Sequence, residues 1–332
     1  MRLSSLLLLL GSASAALAAT PSPQAAVESK LNLSQSVGAQ RKAQSYGNYP
    51  KVEGENLGEL YPGENRDLGD QFIMMPVAPR TYFEAGADSQ FYFTTNALLE
   101  EKGKSQSNIL LSTAFFNIAP PAWDLGSGKL SLRAGYREQM YNYSLDSTQS
   151  GLNDLDFLVG TVTLNARYAF GDGWTASLGT DYNRYLSAEN DLTEFYVEVL
   201  PQWGIEKSFS FDDRNSLTLA YFGAWHLTHT DPLPSPNIND RTDSIFLVTT
   251  THQLCENVVF QPYYRYQHSH YWKNRDRNDS YNTFGVALTY LFNDWSSVRV
   301  FTSYECRDTN DKDIPDYNKW DTGAGLSIAV KF

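Results

Sequence analysis

Apolar and polar side chains alternate along much of the chain, most clearly near its end. Between Trp320 and Phe332 the even-numbered positions are mostly apolar, while the odd-numbered positions are small or polar. Alternation of this kind predicts a β-strand with one apolar and one polar face. Strands of soluble proteins usually hold about 5–6 residues, and this segment keeps its period over more than twice that length. We therefore expect an unusually long strand with a continuous apolar face.

The same period recurs upstream and divides the rest of the chain into further segments of similar length. Two of them, 107–118 and 242–254, alternate poorly, so ten or fourteen strands remain alternatives to twelve. Long antiparallel strands in even number close into a barrel in which one face meets lipid. The sequence therefore predicts an all-β fold, a closed antiparallel transmembrane β-barrel over 81–332. The twelve segments are 81–97, 107–118, 129–144, 155–170, 174–187, 193–209, 215–229, 242–254, 257–272, 280–292, 296–307 and 318–332.

The connections between these segments alternate in length, which supports the twelve-strand division. Tight turns at 171–173, 255–256 and 293–294 fall at one end, together with the longer connection 119–128. Short periplasmic turns and longer outer loops are typical of bacterial membrane barrels. The opposite end carries stretches rich in Asp, Asn, Ser and Pro, as solvated loops should be: 98–106, 145–154, 188–192, 230–241, 273–279 and 308–317.

The N-terminus carries the outline of a secretory signal peptide over 1–18. A positive start is followed by the apolar run Leu6–Leu10 and by small residues that fit a cleavage site at Ala16–Ala18. No stretch after it approaches the roughly 18 apolar residues that a membrane helix needs. We expect export from the cytoplasm, with the mature chain starting near Ala19.

Phe332 ends an amphipathic last strand and thereby resembles the C-terminal signal of bacterial outer-membrane β-barrel proteins. The resemblance is generic, covers about 80–332 and names no specific family. It implies location in the bacterial outer membrane, insertion by the barrel-assembly machinery, and contact with outer-membrane lipid and lipopolysaccharide.

Residues 19–80 do not share the strand pattern. The stretch 19–50 is rich in Ser, Ala, Gln and Gly, and its lack of periodicity predicts a flexible periplasmic extension. A short echo follows, with Gly54–Gly58 resembling Gly63–Gly69. This part is either a turn-rich linker or a motif within 51–79 that plugs the barrel or binds a periplasmic partner.

Composition refines this interpretation. The net charge of −12 argues against nucleic-acid binding, which needs a basic face. The aromatic content of 14% suits a barrel with aromatic rings at both membrane interfaces. The mean hydropathy of −0.42 is compatible with barrel strands, because only every second residue of such a strand faces lipid. We expect four interface aromatics: Trp174, Trp295, Trp320 and Phe332.

The alternate strand positions that should face the barrel interior carry charges of both signs. They either line a water-filled path and tune ion selectivity, or pair across strands and fill a narrow interior. The first alternative predicts a porin-like channel for small hydrophilic solutes; the second predicts a closed structural or adhesive barrel that presents its loops or its periplasmic segment. The candidate residues are Glu84, Asp88, Arg133, Arg137, Arg167, Asp181, Glu198, Arg265 and Arg299.

The five histidines do not predict catalysis. Outer-membrane phospholipases place a His and a Ser two residues apart on one face of a strand, whereas His268-Ser269-His270 puts the Ser on the opposite face. His268 and His270 share a face, but no third metal ligand is evident. We expect no enzyme activity, no metal and no cofactor, and we interpret the histidines as interface residues.

Overall fold

The computed structural model describes residues 82–102, 105–143, 156–188, 192–230, 237–274 and 277–332. These residues form long antiparallel strands joined by turns and loops. The strands are β1 (Phe83–Thr94), β2 (Ser107–Ile118), β3 (Trp123–Leu125), β4 (Gly128–Tyr143), β5 (Phe157–Ala169), β6 (Trp174–Ser187), β7 (Glu194–Ser210), β8 (Asn215–Thr230), β9 (Arg241–Cys255), β10 (Val258–Tyr271), β11 (Arg277–Leu291), β12 (Ser296–Thr309) and β13 (Tyr317–Lys331).

Twelve of these strands close into one barrel. Each pairs with its neighbours in the sequence, β1 pairs with β13, and β2 pairs directly with β4. The short strand β3 pairs with β4 alone and lies within 119–128, the longer of the connections predicted at the tight-turn end of the barrel. The predicted twelve-strand closed antiparallel barrel is therefore confirmed, with β3 as an addition.

The two faces of the strands separate apolar from polar side chains. On β13, the even-numbered positions from Trp320 to Val330 are exposed on the outside, while Asp321 faces inward and is buried. The poorly alternating segments have a simple explanation: Ile109, Leu111, Ile245 and Leu247 are apolar but face inward, where they are buried. Their strands are consequently apolar on both faces.

The strand connections differ at the two ends of the barrel, which we call the turn end and the loop end. Gly171, Asp172 and Gly173 all adopt positive φ angles at the turn end, and a Cβ on Gly173 would lie 2.3 Å from the carbonyl oxygen of Ser208. Glycine is the residue that accepts both constraints. The first residues of β1 and the last residues of β13 also lie at the turn end, where Glu84 pairs with Lys331 in the strand ladder.

The turn at 211–214 is held by one carboxylate. Asp212 Oδ1 accepts hydrogen bonds from the backbone N–H groups of Arg214 and Asn215, both at 2.7 Å, and from the Asn215 side chain. The Asn215 side chain and these N–H groups lower the pKa of Asp212. Asn293 accepts from the N–H groups of Trp295 and Ser296 in the same way. Asx turns thus start β8 and β12.

The predicted interface aromatics lie on the outside of the barrel at both ends. Trp174, Trp295 and Phe332 are exposed near the turn end, and Trp320 is exposed near the loop end. The ammonium of Lys207 lies 5.3 Å from the ring centroid of Trp174, an arrangement suited to an interfacial cation.

Residues 1–81 lie outside the described residues, and with them the predicted signal peptide and the periplasmic extension. In the part of the chain that the structure describes, no helix is long and apolar enough to cross a membrane. Cys255 at the turn end and Cys306 towards the loop end are free thiols.

Epitope insertion tests the orientation of the barrel. A tag inserted after Lys312, in the connection between β12 and β13, should be labelled by antibody on intact cells because the loop end faces outward. A matched tag after Asp213, in the connection between β7 and β8, should be labelled only after the outer membrane is permeabilised. The reverse labelling pattern would show that the barrel is inserted upside down.

Candidate functional site in the barrel interior

Inward-facing side chains divide the barrel interior into two levels. Near the turn end, β1, β4–β6 and β13 carry small and charged side chains that stay partly accessible, and we call this level the vestibule. Near the loop end the inward side chains are large and nearly all buried, and we call this level the constriction. The vestibule contains Glu84, Gly86, Arg133, Arg167, Gly325 and Ser327. The constriction contains Tyr92, Tyr141, Phe157, Tyr185, Tyr196, Glu198, His226, Arg241, Asp243, Tyr271, Arg277, Asp279, Tyr281, Arg307 and Tyr317.

Two ion pairs span the vestibule wall, each reaching over an intervening strand. Arg133 on β4 pairs with Glu84 on β1, and Arg167 on β5 pairs with Glu206 on β7 at 2.5 Å. The arginine side chains are 48% and 37% exposed. Exposed ion pairs contribute little to stability, so the main consequence is accessible charge at one mouth of the barrel.

Aromatic rings form one half of the constriction. Tyr141 stacks on Phe157 with ring centroids 4.6 Å apart, and Tyr185 meets Tyr196 edge-on at 5.1 Å. Tyr92 and the inward aliphatic side chains of β2 belong to the same buried cluster. Large rings from neighbouring strands therefore pack together and fill this side of the interior.

Charged side chains form the other half, centred on His226. The His226 Nδ1 atom lies 2.8 Å from Glu198 Oε2, and its Nε2 atom lies 2.9 Å from Asp243 Oδ2. The side chains of His226 and Asp243 have no exposed surface. Arg241, directly across the strand ladder from His226, donates from Nε to Asp243 Oδ1 at 3.2 Å. A carboxylate only accepts, so both His226 contacts are hydrogen bonds when both ring nitrogens carry protons.

Neutral polar groups extend this network around the wall. Asn183 donates to Glu198 at 2.7 Å, and Thr161 donates to Asn183 at 2.8 Å. On the other side, Gln267 donates to Asp243 at 3.1 Å. The hydrogen-bonded network therefore runs from β5 to β10 and offsets the cost of burying its charges.

Glu305 is the centre of a second group of charges. Its carboxylate accepts from Arg265 at 3.1 Å, from Thr283 at 3.1 Å and from the Tyr317 hydroxyl at 2.8 Å. Lys319 lies 3.8 Å from Glu305 and 3.2 Å from Asp321. Together the two networks line the interior with neutral polar groups on β5 and β6 and with paired charges on β7–β13.

All nine charges selected from the sequence occupy inward-facing positions, but they do not form one site. Glu84, Arg133 and Arg167 lie in the vestibule, whereas Glu198 and Arg265 lie in the buried networks. Asp88 accepts from Gln90 at 3.0 Å, and the Arg299 guanidinium lies over the Phe301 ring at 5.5 Å. Arg137 and Asp181 are inward and partly buried. Whether these residues line a conducting path stays a prediction.

Sequence reasoning missed the residues at the centre of the constriction. Interpreting every histidine as an interface residue was wrong for His226, which shares the inward parity of Ala220 and Ala224 and is fully buried. Arg241 and Arg277 fell into predicted loops because β9 and β11 begin one and three residues earlier than the strand pattern indicates. Strict attention to parity would have found His226.

A closed, even-stranded antiparallel barrel with an apolar exterior is the architecture of single-chain proteins of the bacterial outer membrane. The chain is a transmembrane β-barrel of this type. No protein-family model matches it, and a search of curated proteins found no match.

Several solved structures have a similar fold. An outer membrane channel from Pseudomonas putida F1 shares 11% identity over 79% of this chain and 100% of its own, with a TM-score of 0.49. The β domain of the Bordetella autotransporter BrkA shares 11% identity over 75% and 99%, with a TM-score of 0.43. The translocator domain of the autotransporter NalP from Neisseria meningitidis shares 13% over 75% and 88%, with a TM-score of 0.38.

Replacing His226 tests whether the buried network stabilises the fold. His226→Phe should lower the free energy of unfolding by about 3–5 kcal/mol, because it leaves two buried carboxylates facing an apolar ring. Urea unfolding of the folded barrel, followed by tryptophan fluorescence, measures the loss. His268→Phe, on the lipid-facing side of β10, is the matched control and should change the stability little; equal losses in both variants would contradict the network's role.

Proposed function

We propose that the protein is a narrow, porin-like outer-membrane channel for small hydrophilic solutes. The observation that carries the proposal is that charged side chains line part of the interior wall at both levels, the vestibule and the constriction. Accessible charges line the vestibule, and the constriction continues with paired charges on β7–β13 rather than with apolar side chains alone. A barrel that served only as a membrane anchor would be filled at lower cost by apolar side chains.

The constriction sets the width of the proposed path. His226, Asp243, Tyr185 and Tyr271 have no exposed surface, so solute passage requires these side chains to move. The ion pairs of His226 with Glu198 and Asp243 are hydrogen-bonded in a definite arrangement, and rearranging them costs free energy. The proposed channel is therefore closed for much of the time and opens in discrete steps.

The same burial favours the second candidate, a closed structural or adhesive barrel. Such a barrel presents its outer loops, or uses residues 51–79 to bind a periplasmic partner, and needs no conducting path. Co-purification of a specific periplasmic protein that is lost when 51–79 is deleted would support this candidate. Lipid, lipopolysaccharide and the barrel-assembly machinery are proposed partners under either function, and enzyme activity is proposed under neither.

Planar-bilayer recording distinguishes the two candidates. The purified full-length chain should show small, discrete conductance steps separated by long closed periods, because the constriction must rearrange before ions pass. Tyr271→Ala should lengthen the open periods by removing a buried ring from the constriction. Silence of both proteins over a wide range of voltage and salt would remove the channel proposal.

Charge reversal in the vestibule provides a second test. Arg167→Glu should shift the reversal potential in a salt gradient towards cation selectivity, because its charge is accessible at the mouth of the path. Arg184→Glu, which places the same change on the outer face of β6, is the control and should leave the reversal potential unchanged. Equal shifts would mean that surface charge, not the interior, sets the selectivity.

A further inference from the structure

Arginine and tyrosine alternate across the inner wall at the loop end. In one row of the strand ladder Tyr271 lies between Arg241 and Arg277. In the other row Arg307 lies between Tyr281 and Tyr317. We call these six residues on β9–β13 the arginine–tyrosine arc. All of them are at most 4% exposed, so the arc brings three guanidinium groups into a site that bulk water does not reach.

The guanidinium groups stack on the phenol rings. The central carbon of Arg277 lies 4.4 Å from the ring centroid of Tyr271, and that of Arg241 lies 5.7 Å from the same centroid. Arg307 lies 4.5 Å from the ring of Tyr317. Stacking holds each guanidinium plane against a ring and leaves its edge N–H groups free to bind elsewhere.

Arg307 lacks the carboxylate that its two counterparts have. Arg241 pairs with Asp243, and Arg277 pairs with Asp279. In the described part of the chain Arg307 forms no such pair; its Nη2 group donates to the carbonyl oxygen of Pro315. Its Nε and Nη1 groups are buried without a hydrogen-bond partner.

Two further donors of the arc are buried without an acceptor. They are the Nη1 group of Arg241 and the hydroxyl of Tyr271. The buried acceptor atoms left unpartnered on neighbouring positions are Gln267 Oε1 and Asp321 Oδ1. The four donors exceed the two acceptors, and two of the donors belong to Arg307, which has no bonded anion in the described part of the chain. A buried charge or donor in this state is costly unless something binds it.

We propose that the arginine–tyrosine arc is a binding site for a small oxyanion, the phosphate or carboxylate group of a hydrophilic solute. Such a group supplies the acceptors and the negative charge that Arg307 lacks, through charge-assisted hydrogen bonds. The arc lies inside the barrel wall, where membrane lipid does not reach. The proposed site lies in the interior of the proposed channel, and it rests on the channel function for one point only. If the barrel conducts, its preferred solutes are anionic.

Equilibrium binding tests the site without requiring conductance. The full-length protein in detergent is titrated calorimetrically with inorganic phosphate, with acetate, and with glucose as a neutral solute, at constant ionic strength. Phosphate or acetate should bind saturably, and glucose should not. Arg307→Gln should weaken anion binding at least about tenfold, since hydrogen bonds to charged groups are strong. Arg184→Gln, which removes an arginine on the outer face of β6 instead, is the matched control and should change the affinity less than about twofold.

Tyr271→Phe keeps the proposal testable if Arg307→Gln does not fold. This substitution removes only a hydroxyl that has no hydrogen-bond partner. If the anion binds in the arc, its affinity should fall several-fold; if it binds elsewhere, its affinity should not change. Absence of saturable anion binding, or equal weakening by Arg184→Gln and Arg307→Gln, would overturn the site. Anion binding that depends on Arg307 in a barrel without conductance would support the site while contradicting the channel.

Discussion

Compensation of buried charge is the constraint on which the interior of this barrel depends. Closing twelve strands places many inward side chains in a space that water enters only in part, and an unpaired charge there is costly. Glu198, His226, Asp243 and Arg241 satisfy the constraint by binding one another on adjacent strands. Each carboxylate needs its partner at a definite height, so the network also favours one register of the strands over slipped alternatives.

Side-chain size, more than backbone geometry, creates the two levels of the interior. The same strands carry glycine and serine at one end, such as Gly325 and Ser327, and large side chains such as Tyr317 at the other. The barrel has intermediate strand number and therefore intermediate width. Small residues leave the vestibule accessible, while tyrosine, arginine and histidine close the constriction. A path of this kind is controlled by a few side chains that rearrange, and the backbone need not move.

The sequence predicted the fold well because the exterior obeys a simple rule. Lipid demands apolar side chains at every second position, and this demand is visible along β13 and β11 without knowledge of the partners. The short turns, and the strand ends beside them, followed from the same period and from residues such as Gly171 and Gly173.

The interior was less predictable because its requirements are not local. Inward residues include Ile245, His226 and Arg307, and each suits what faces it from strands far away in the sequence. Parity indicates that Glu198 faces inward, but it does not indicate that Glu198 meets His226 nearly thirty residues later. Arg241 and Arg277 illustrate the remaining difficulty, since polar strand ends and polar loops have the same composition.

The division of the interior into an accessible vestibule and an occluded constriction is the central claim, and thiol reactivity measures it most directly. In a protein carrying Cys255→Ser and Cys306→Ser, single cysteines are introduced by Ser327→Cys in the vestibule or by Ser269→Cys at the level of the constriction, where Ser269 accepts a hydrogen bond from Gln267 of the buried network. Both positions face inward, but Ser269 is fully buried and Ser327 is partly accessible. A small charged thiol reagent should modify the cysteine at 327 rapidly, and the cysteine at 269 slowly until the barrel is unfolded. Equal rates in the folded barrel would contradict the account.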